Sequence, residues 1–190
     1  MPNWCNNTLT VSGNKKSIKR FREQGISKND DIDTQLSLAK FVPEPDYTDI
    51  KVRPTFPGIS KSKDEFVDPS RSWWDWRVQN WGTKWDVDAY VNEESTEHIQ
   101  YCFASAWSPP EDWLEKVADQ YKDLYFKMVY REDGCAFMGS IEIENGEVID
   151  NNQVDTSAVW DELVKEEFSE DDEELMEEYM SRLDAMEGSL

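Results

Sequence analysis

The chain has 190 residues, of which 41 are acidic and 20 basic, and it carries a formal charge of −21 at pH 7. That balance speaks against a surface that grips nucleic acid non-specifically or docks on an anionic membrane, since both need a surplus of Lys and Arg. Nine tryptophans and 13% aromatic residues exclude a wholly disordered chain.

In chain order, alternation through Thr8, Leu9, Thr10 and Val11 predicts a first strand, closed by Ser12-Gly13. Ile18, Phe21 and Arg22 at helical spacing predict a helix over 15–23, ended by Gly25. Residues 36–42 read as a second strand or extended segment before Pro43-Glu44-Pro45, and 46–69 as a long insertion without sustained period. The spacing of Trp74, Val78, Trp81 and Trp85 predicts a helix over 70–81 with a core-facing stripe; Gly82 stops it in a left-handed conformation. Strands are expected over 86–91 and 99–106, with a turn at 93–98 between them. Ser108-Pro109-Pro110-Glu111 marks a helix start, with Ser108 as the cap and Glu111 reaching back to it. Trp113, Leu114, Val117, Ala118 and Tyr121 form that helix's buried face. Strands follow over 124–131 and 136–144, and Asn145-Gly146 turns the chain into 147–149.

This order predicts an α+β fold: a ferredoxin-like βαββαβ sandwich with an antiparallel sheet, an insertion after the second strand and an extra hairpin. Two regions are expected, a ferredoxin-like domain over 1–154 and an acidic amphipathic helical extension over 155–190. The extension holds fourteen acidic and two basic residues, a net charge of −12. Apolar stripes through Val159, Trp160, Leu163, Val164 and Phe168, and through Leu175, Met176, Tyr179, Met180, Leu183 and Met186, predict two helices hinged near Ser169. These stripes either cover the open face of the sheet or pair with a second copy as a homodimer.

Three segments carry a likeness to a known family: Met1-Pro2-Asn3-Trp4-Cys5-Asn6-Asn7, then Trp76-Arg77 running through Asn80-Trp81-Gly82-Thr83-Lys84-Trp85-Asp86, then Ala106-Trp107-Ser108-Pro109-Pro110. In that order they resemble the YubB-type ferredoxin-like domains of plasmids and bacteriophages, over about residues 1–150. The resemblance implies the ferredoxin-like fold and a mobile-element origin. It implies no activity, and the acidic extension lies outside it.

Candidate chemistry is sparse. Glycine-rich phosphate loops are absent, and His98 is the single histidine, read as a turn residue. Cys5, Cys102 and Cys135 are odd in number and lack a Cys-x-x-Cys pair, so neither a disulfide framework, a zinc site nor an iron–sulfur cluster is expected. Asp86 and Asp88, like Glu142 and Glu144, share one side of a strand and are weak candidates for a divalent cation. No cofactor is expected. The tryptophan-rich segment offers Trp73, Trp76, Arg77, Asn80 and Lys84 as an aromatic, basic surface that stacks on bases or anchors a partner. Its structural reading puts Trp74, Trp81 and Trp85 in the core and pairs Arg77 with Asp86. Phe126, Tyr130, Phe103 and Tyr101 are candidates for an exposed sheet platform of the RNA-recognition type.

The functional expectation is a non-enzymatic phage or plasmid accessory protein. It binds a basic, nucleic-acid-handling host or defence protein, by imitating nucleic acid with Glu166, Glu167, Glu170, Asp171, Asp172, Glu173, Glu174, Glu177 and Glu178. Direct contact with nucleic acid is not expected in this reading. The alternative is a single-stranded nucleic-acid-binding protein autoinhibited by its acidic tail. With no basic segment leading into an apolar stretch and no run near ~20 apolar residues, the expected location is the bacterial cytoplasm.

Overall fold

Residues of alternating character make Trp4–Gly13 the first strand, β1, with Cys5, Asn7, Leu9 and Val11 buried on one side. The computed structural model describes residues 3–28, 33–45, 73–165 and 173–190. Asn14 then caps helix α1 (Lys15–Gly25) by accepting from the Ser17 amide at 3.1 Å, and Ile18 and Phe21 turn inward. A two-residue pairing of β2 (Ser27–Lys28) with β3 (Asp33–Thr34) leads to the single turn α2 (Leu38–Phe41). Helix α3 (Trp73–Trp81), strands β4 (Tyr90–Glu94) and β5 (His98–Ala106) and helix α4 (Glu111–Gln120) follow. Strands β6 (Leu124–Glu132), β7 (Phe137–Glu144) and β8 (Glu147–Asp155) and helices α5 (Ser157–Lys165) and α6 (Glu173–Glu187) complete the described chain.

The sheet runs β4-β5-β1-β6-β7-β8, with every neighbouring pair antiparallel. Its first four strands, with α1 and α4 as crossovers, are the βαββαβ unit, and β1 lies between β5 and β6. The β7–β8 hairpin widens the sheet beyond β6. Its turn holds Asn145 at φ 56° and Gly146 at φ 81°, the left-handed pair that matches strand twist.

The core lies between the sheet and α1, α2 and α4. Leu9, Val11, Ile99, Tyr101, Phe126, Met128, Ile141 and Ile143 from the sheet meet Phe21, Leu38, Phe41, Trp113, Leu114 and Val117. Phe103 and Tyr130 belong to the same cluster, so all four rings considered for an exposed platform face the helices instead. Strand alternation assigns residues to two sides, and packing decided which side is wet.

The second strand of the unit is β4, not residues 36–42, so the long segment precedes that strand. Residues 36–42 do not pair because their polar groups are engaged elsewhere. Trp113 Nε1 donates to the Leu38 carbonyl at 3.1 Å and Trp81 Nε1 to the Val42 carbonyl at 2.9 Å. Asp86 accepts from Ser37 Oγ and the Leu38 amide, both at 2.6 Å, capping the turn α2. The strand expected over 86–91 accordingly starts later, at Tyr90, and β4 runs to Glu94. At α4, Pro110 takes the cap position without a side-chain bond, because Ser108 Oγ donates across the loop to the Gly82 carbonyl.

Against the opposite face of the sheet lies α6. Tyr179 and Leu183 are buried with Met138 of β7, and Val154, Val159, Met180, Met186 and Leu190 close around them. Among the described residues no helix is long and apolar enough to cross a membrane.

Candidate interaction surfaces

Helix α6 is fastened to the sheet by charge as well as by apolar contact. Arg131 of β6, whose side chain is 14% exposed, reaches Asp184 at 2.8 Å, Glu187 at 3.0 Å and Asp133 at 3.1 Å. Lys127, four residues back on the same side of β6, donates to the Leu190 carbonyl at 2.6 Å and pairs with Glu142 at 3.0 Å. Asp184 and Glu187 are thereby engaged by the protein's own cations. Glu177 and Glu178 stay exposed, and Glu178 pairs with Arg182 along the helix at 2.8 Å. Glu173 and Glu174 sit in the first turn of α6. Glu166, Glu167, Glu170, Asp171 and Asp172 lie outside the described residues, as do Phe168 and the hinge at Ser169.

The tryptophan-rich segment serves mainly to join elements. Trp81 is fully buried, with Trp76 edge-on to it at 5.8 Å. The Arg77 guanidinium lies 5.1 Å from the ring centres of both Trp73 and Trp81, pairs with Glu44 and donates to the Lys84 carbonyl at 3.3 Å. The expected Arg77–Asp86 pair does not form, because Asp86 caps α2. Asn80 donates to the Trp76 carbonyl at 2.8 Å and accepts from Lys116 at 2.9 Å. Trp74 is half-buried and Trp85 is 37% exposed, so of the three rings assigned to the core only Trp81 reaches it.

Asp88 is exposed, while Asp86 is occupied in capping α2. Glu142 is committed to Lys127. Among the described residues no group of three or more His, Cys, Asp or Glu side chains converges as a metal site would. Cys5, Cys102 and Cys135 are free thiols. Burial, with Glu132 adding to it, pushes the Cys5 thiol up to about 12, far from a reactive thiolate.

One surface was not legible in the sequence. Trp4, Trp85 and Trp107 are 50%, 37% and 47% exposed. Trp4 and Trp85 touch with ring centres 5.8 Å apart. The Lys84 ammonium sits 4.0 Å from the centre of the Trp85 ring and 5.8 Å from that of Trp107. Trp4 opens β1, Ala106 faces it across the pairing with β5, and Trp107 follows directly. The loop after α3 is pinned there by Thr83, whose hydroxyl donates to the Ala106 carbonyl at 3.0 Å and accepts its amide at 3.1 Å. The Trp107 amide donates to the Asn3 carbonyl at 3.0 Å, while Trp107 itself is held at φ 76°, a left-handed backbone rare for a bulky side chain. The three segments behind the family likeness thus converge at one end of the sheet. The only available signal was that each segment carries tryptophan; helical spacing put Trp85 on a core-facing stripe, and Trp4 and Trp107 lay outside the expected strands.

Residues 84–179 match the family model of a ferredoxin-like domain in Api92-like protein. The match runs past residue 150 into α6 and so takes in part of the acidic extension. Among solved structures, the chain is similar to the crystal structure of a protein api92 from Yersinia pseudotuberculosis, with a TM-score of 0.52 over 81% of this chain and 98% of that one. At 8% sequence identity that likeness concerns the fold alone. No curated protein matches.

Proposed function

The chain belongs to the family of ferredoxin-like domains in Api92-like proteins, and from that premise we propose that it is a non-enzymatic accessory protein that binds a basic, nucleic-acid-handling protein. The finer kinship with YubB-type domains of plasmids and bacteriophages is part of this proposal. It gives counter-defence or host takeover in the bacterial cytoplasm as the setting. The observation that carries the reading is the two-sidedness of α6. Tyr179 and Leu183 face the sheet and are buried, whereas Glu177 and Glu178 are exposed on the same helix. A docked helix holds its outer carboxylates in fixed positions, and such an array steers and orients a cationic partner. Asp184 and Glu187, bound by Arg131, act as the fastening rather than as the display.

The test is affinity capture from plasmid-bearing or infected cells, followed by titration of each basic protein recovered. Replacing Glu177 and Glu178, together with Glu166, Glu167 and Glu170, by Gln is expected to slow association most strongly at low salt. Equal association rates for the full chain and the Gln variant at low salt would remove the reading.

A further inference from the structure

We propose that the Trp4–Trp85–Trp107 cluster, with the half of the sheet face beside it, is a binding site for single-stranded nucleic acid. In this site bases stack on the exposed indoles and one backbone phosphate pairs with Lys84.

Three independent features point to that ligand. First, Trp4 and Trp85 in contact, and Trp107 beside the same Lys84 ammonium, expose between about a third and a half of their surfaces, and Trp107 keeps a left-handed backbone while presenting its ring. Flat aromatic faces of this kind accept any base, because every base has a π-face. Thr83, Ser108 and Asn3 bind the surrounding loops to one another, so the rings are held on a framework rather than on a free loop.

Second, Lys84 is a cation without an acid. Among the described residues no carboxylate lies within ion-pair distance of its ammonium, in a chain with 41 acidic side chains. Its described contacts are the Trp85 and Trp107 rings. An anion is what the position lacks, and it lacks it directly beside stacking surfaces. A nucleotide supplies both parts, a base and a phosphate joined by one sugar.

Third, the charge map of the sheet leaves a window over β1 and β5, bordered by the exposed Glu93 of β4 across from Gln100. Neither β1 nor β5 contains an Asp or a Glu. Their residues on the face away from the core, Asn6, Thr8, Thr10 and Gln100, are neutral hydrogen-bonding groups and continue from Trp4 along the strands. Gln100 donates to Thr10 Oγ1 at 3.3 Å and accepts from Asn92 at 2.6 Å, forming a polar row, and Tyr90 beyond it is 61% exposed. Helix α6 rests on β6, β7 and β8, so among the described residues the window is open with the acidic helix still docked. Release of the tail is not needed.

The charge of −21 limits the contact to a short one. With about one phosphate engaged, the logarithm of affinity falls by about 0.7 per decade of salt, against several-fold steeper slopes for proteins that track the backbone with many cations. Repulsion by the rest of the molecule, relieved by salt, flattens it further. A duplex presents no base faces along its length and is refused.

The experiment titrates the full chain into a fluorescein-labelled run of eight thymidines, following anisotropy and intrinsic tryptophan emission, beside a blunt duplex of equal length. We expect quenching and binding with the single strand alone and a shallow salt slope. Trp4→Ala weakens binding about 5- to 150-fold, the loss of one stacking platform. Lys84→Gln removes most of the remaining salt slope, and Val148→Ser on exposed β8 changes nothing. Trp107→Gly, which keeps the left-handed backbone, serves as a second stacking variant. Absence of oligonucleotide binding overturns the proposal and leaves the cluster as an anchor for a protein surface. Binding that survives both Trp4→Ala and Lys84→Gln overturns it equally. No protein partner enters the assay, so its failure leaves the proposed binding by α6 standing.

Discussion

Thr83 shows how much one hydroxyl can organise. It is 1% exposed and satisfies both the amide and the carbonyl of Ala106, tying the loop after α3 to the end of β5. Gly82 just before it, at φ 78°, lets the chain leave α3 close to Pro109 and Asp112; a Cβ there would come within 3.1 Å of the Pro109 carbonyl. Thr83→Val preserves shape while leaving two buried backbone groups without partners, which costs about 1–3 kcal/mol. Thermal unfolding of the variant checks this. The same variant should loosen Trp85 and Lys84, visible as a red shift in tryptophan emission. Asp86 is a second case: a carboxylate that strand alternation offered to a cation is the cap of α2, because its oxygens meet Ser37 and Leu38.

Between elements, the informative contact is α6 against the sheet. Its described apolar anchor is narrow, with Tyr179, Leu183 and Met138 as the buried members, and Arg131 supplies the polar clamp. A helix held by so few side chains opens separately from the main core. Leu183→Ala, at a site with no exposure, removes about 2–5 kcal/mol from whatever state keeps α6 docked. Hydrogen exchange should then accelerate over 173–190 while β1, β5 and β6 keep their protection. Uniform acceleration across the sheet would show instead that α6 and the core unfold as one unit. The amphipathic pattern of α6 was plain in the sequence. That residues 36–42 would forgo a strand was not, since the groups that occupy their carbonyls come from Trp81 and Trp113, far along the chain.

For the molecule as a whole, charge dominates. With 41 acidic and 20 basic residues, its carboxylates repel one another over distances comparable to the Debye length, about 10 Å at 0.1 M salt. Compaction gathers that charge, so self-repulsion weighs on the folded state more than on the extended chain. Added sodium chloride is therefore expected to raise the melting temperature, and a calorimetric series in salt checks it. A melting temperature that falls with salt would mean that internal pairs such as Arg131 with Asp184 outweigh the repulsion.

The sequence by itself determined the α+β class, the place of the tight turns, the identity of α1, α4 and α6 as amphipathic helices, and the concentration of negative charge towards the C-terminus. These follow from local period, turn chemistry and composition, which need no partner in space. Only the tertiary structure decided which side of each strand is wet, which carboxylates are consumed by the protein's own cations, and that Trp4, Lys84, Trp85 and Trp107 meet. The reason is physical: exposure and pairing are properties of what lies across a contact. Here the residues across contacts such as Trp4 with Trp85 and Arg131 with Asp184 lie tens of positions apart in the chain, beyond the reach of any periodicity.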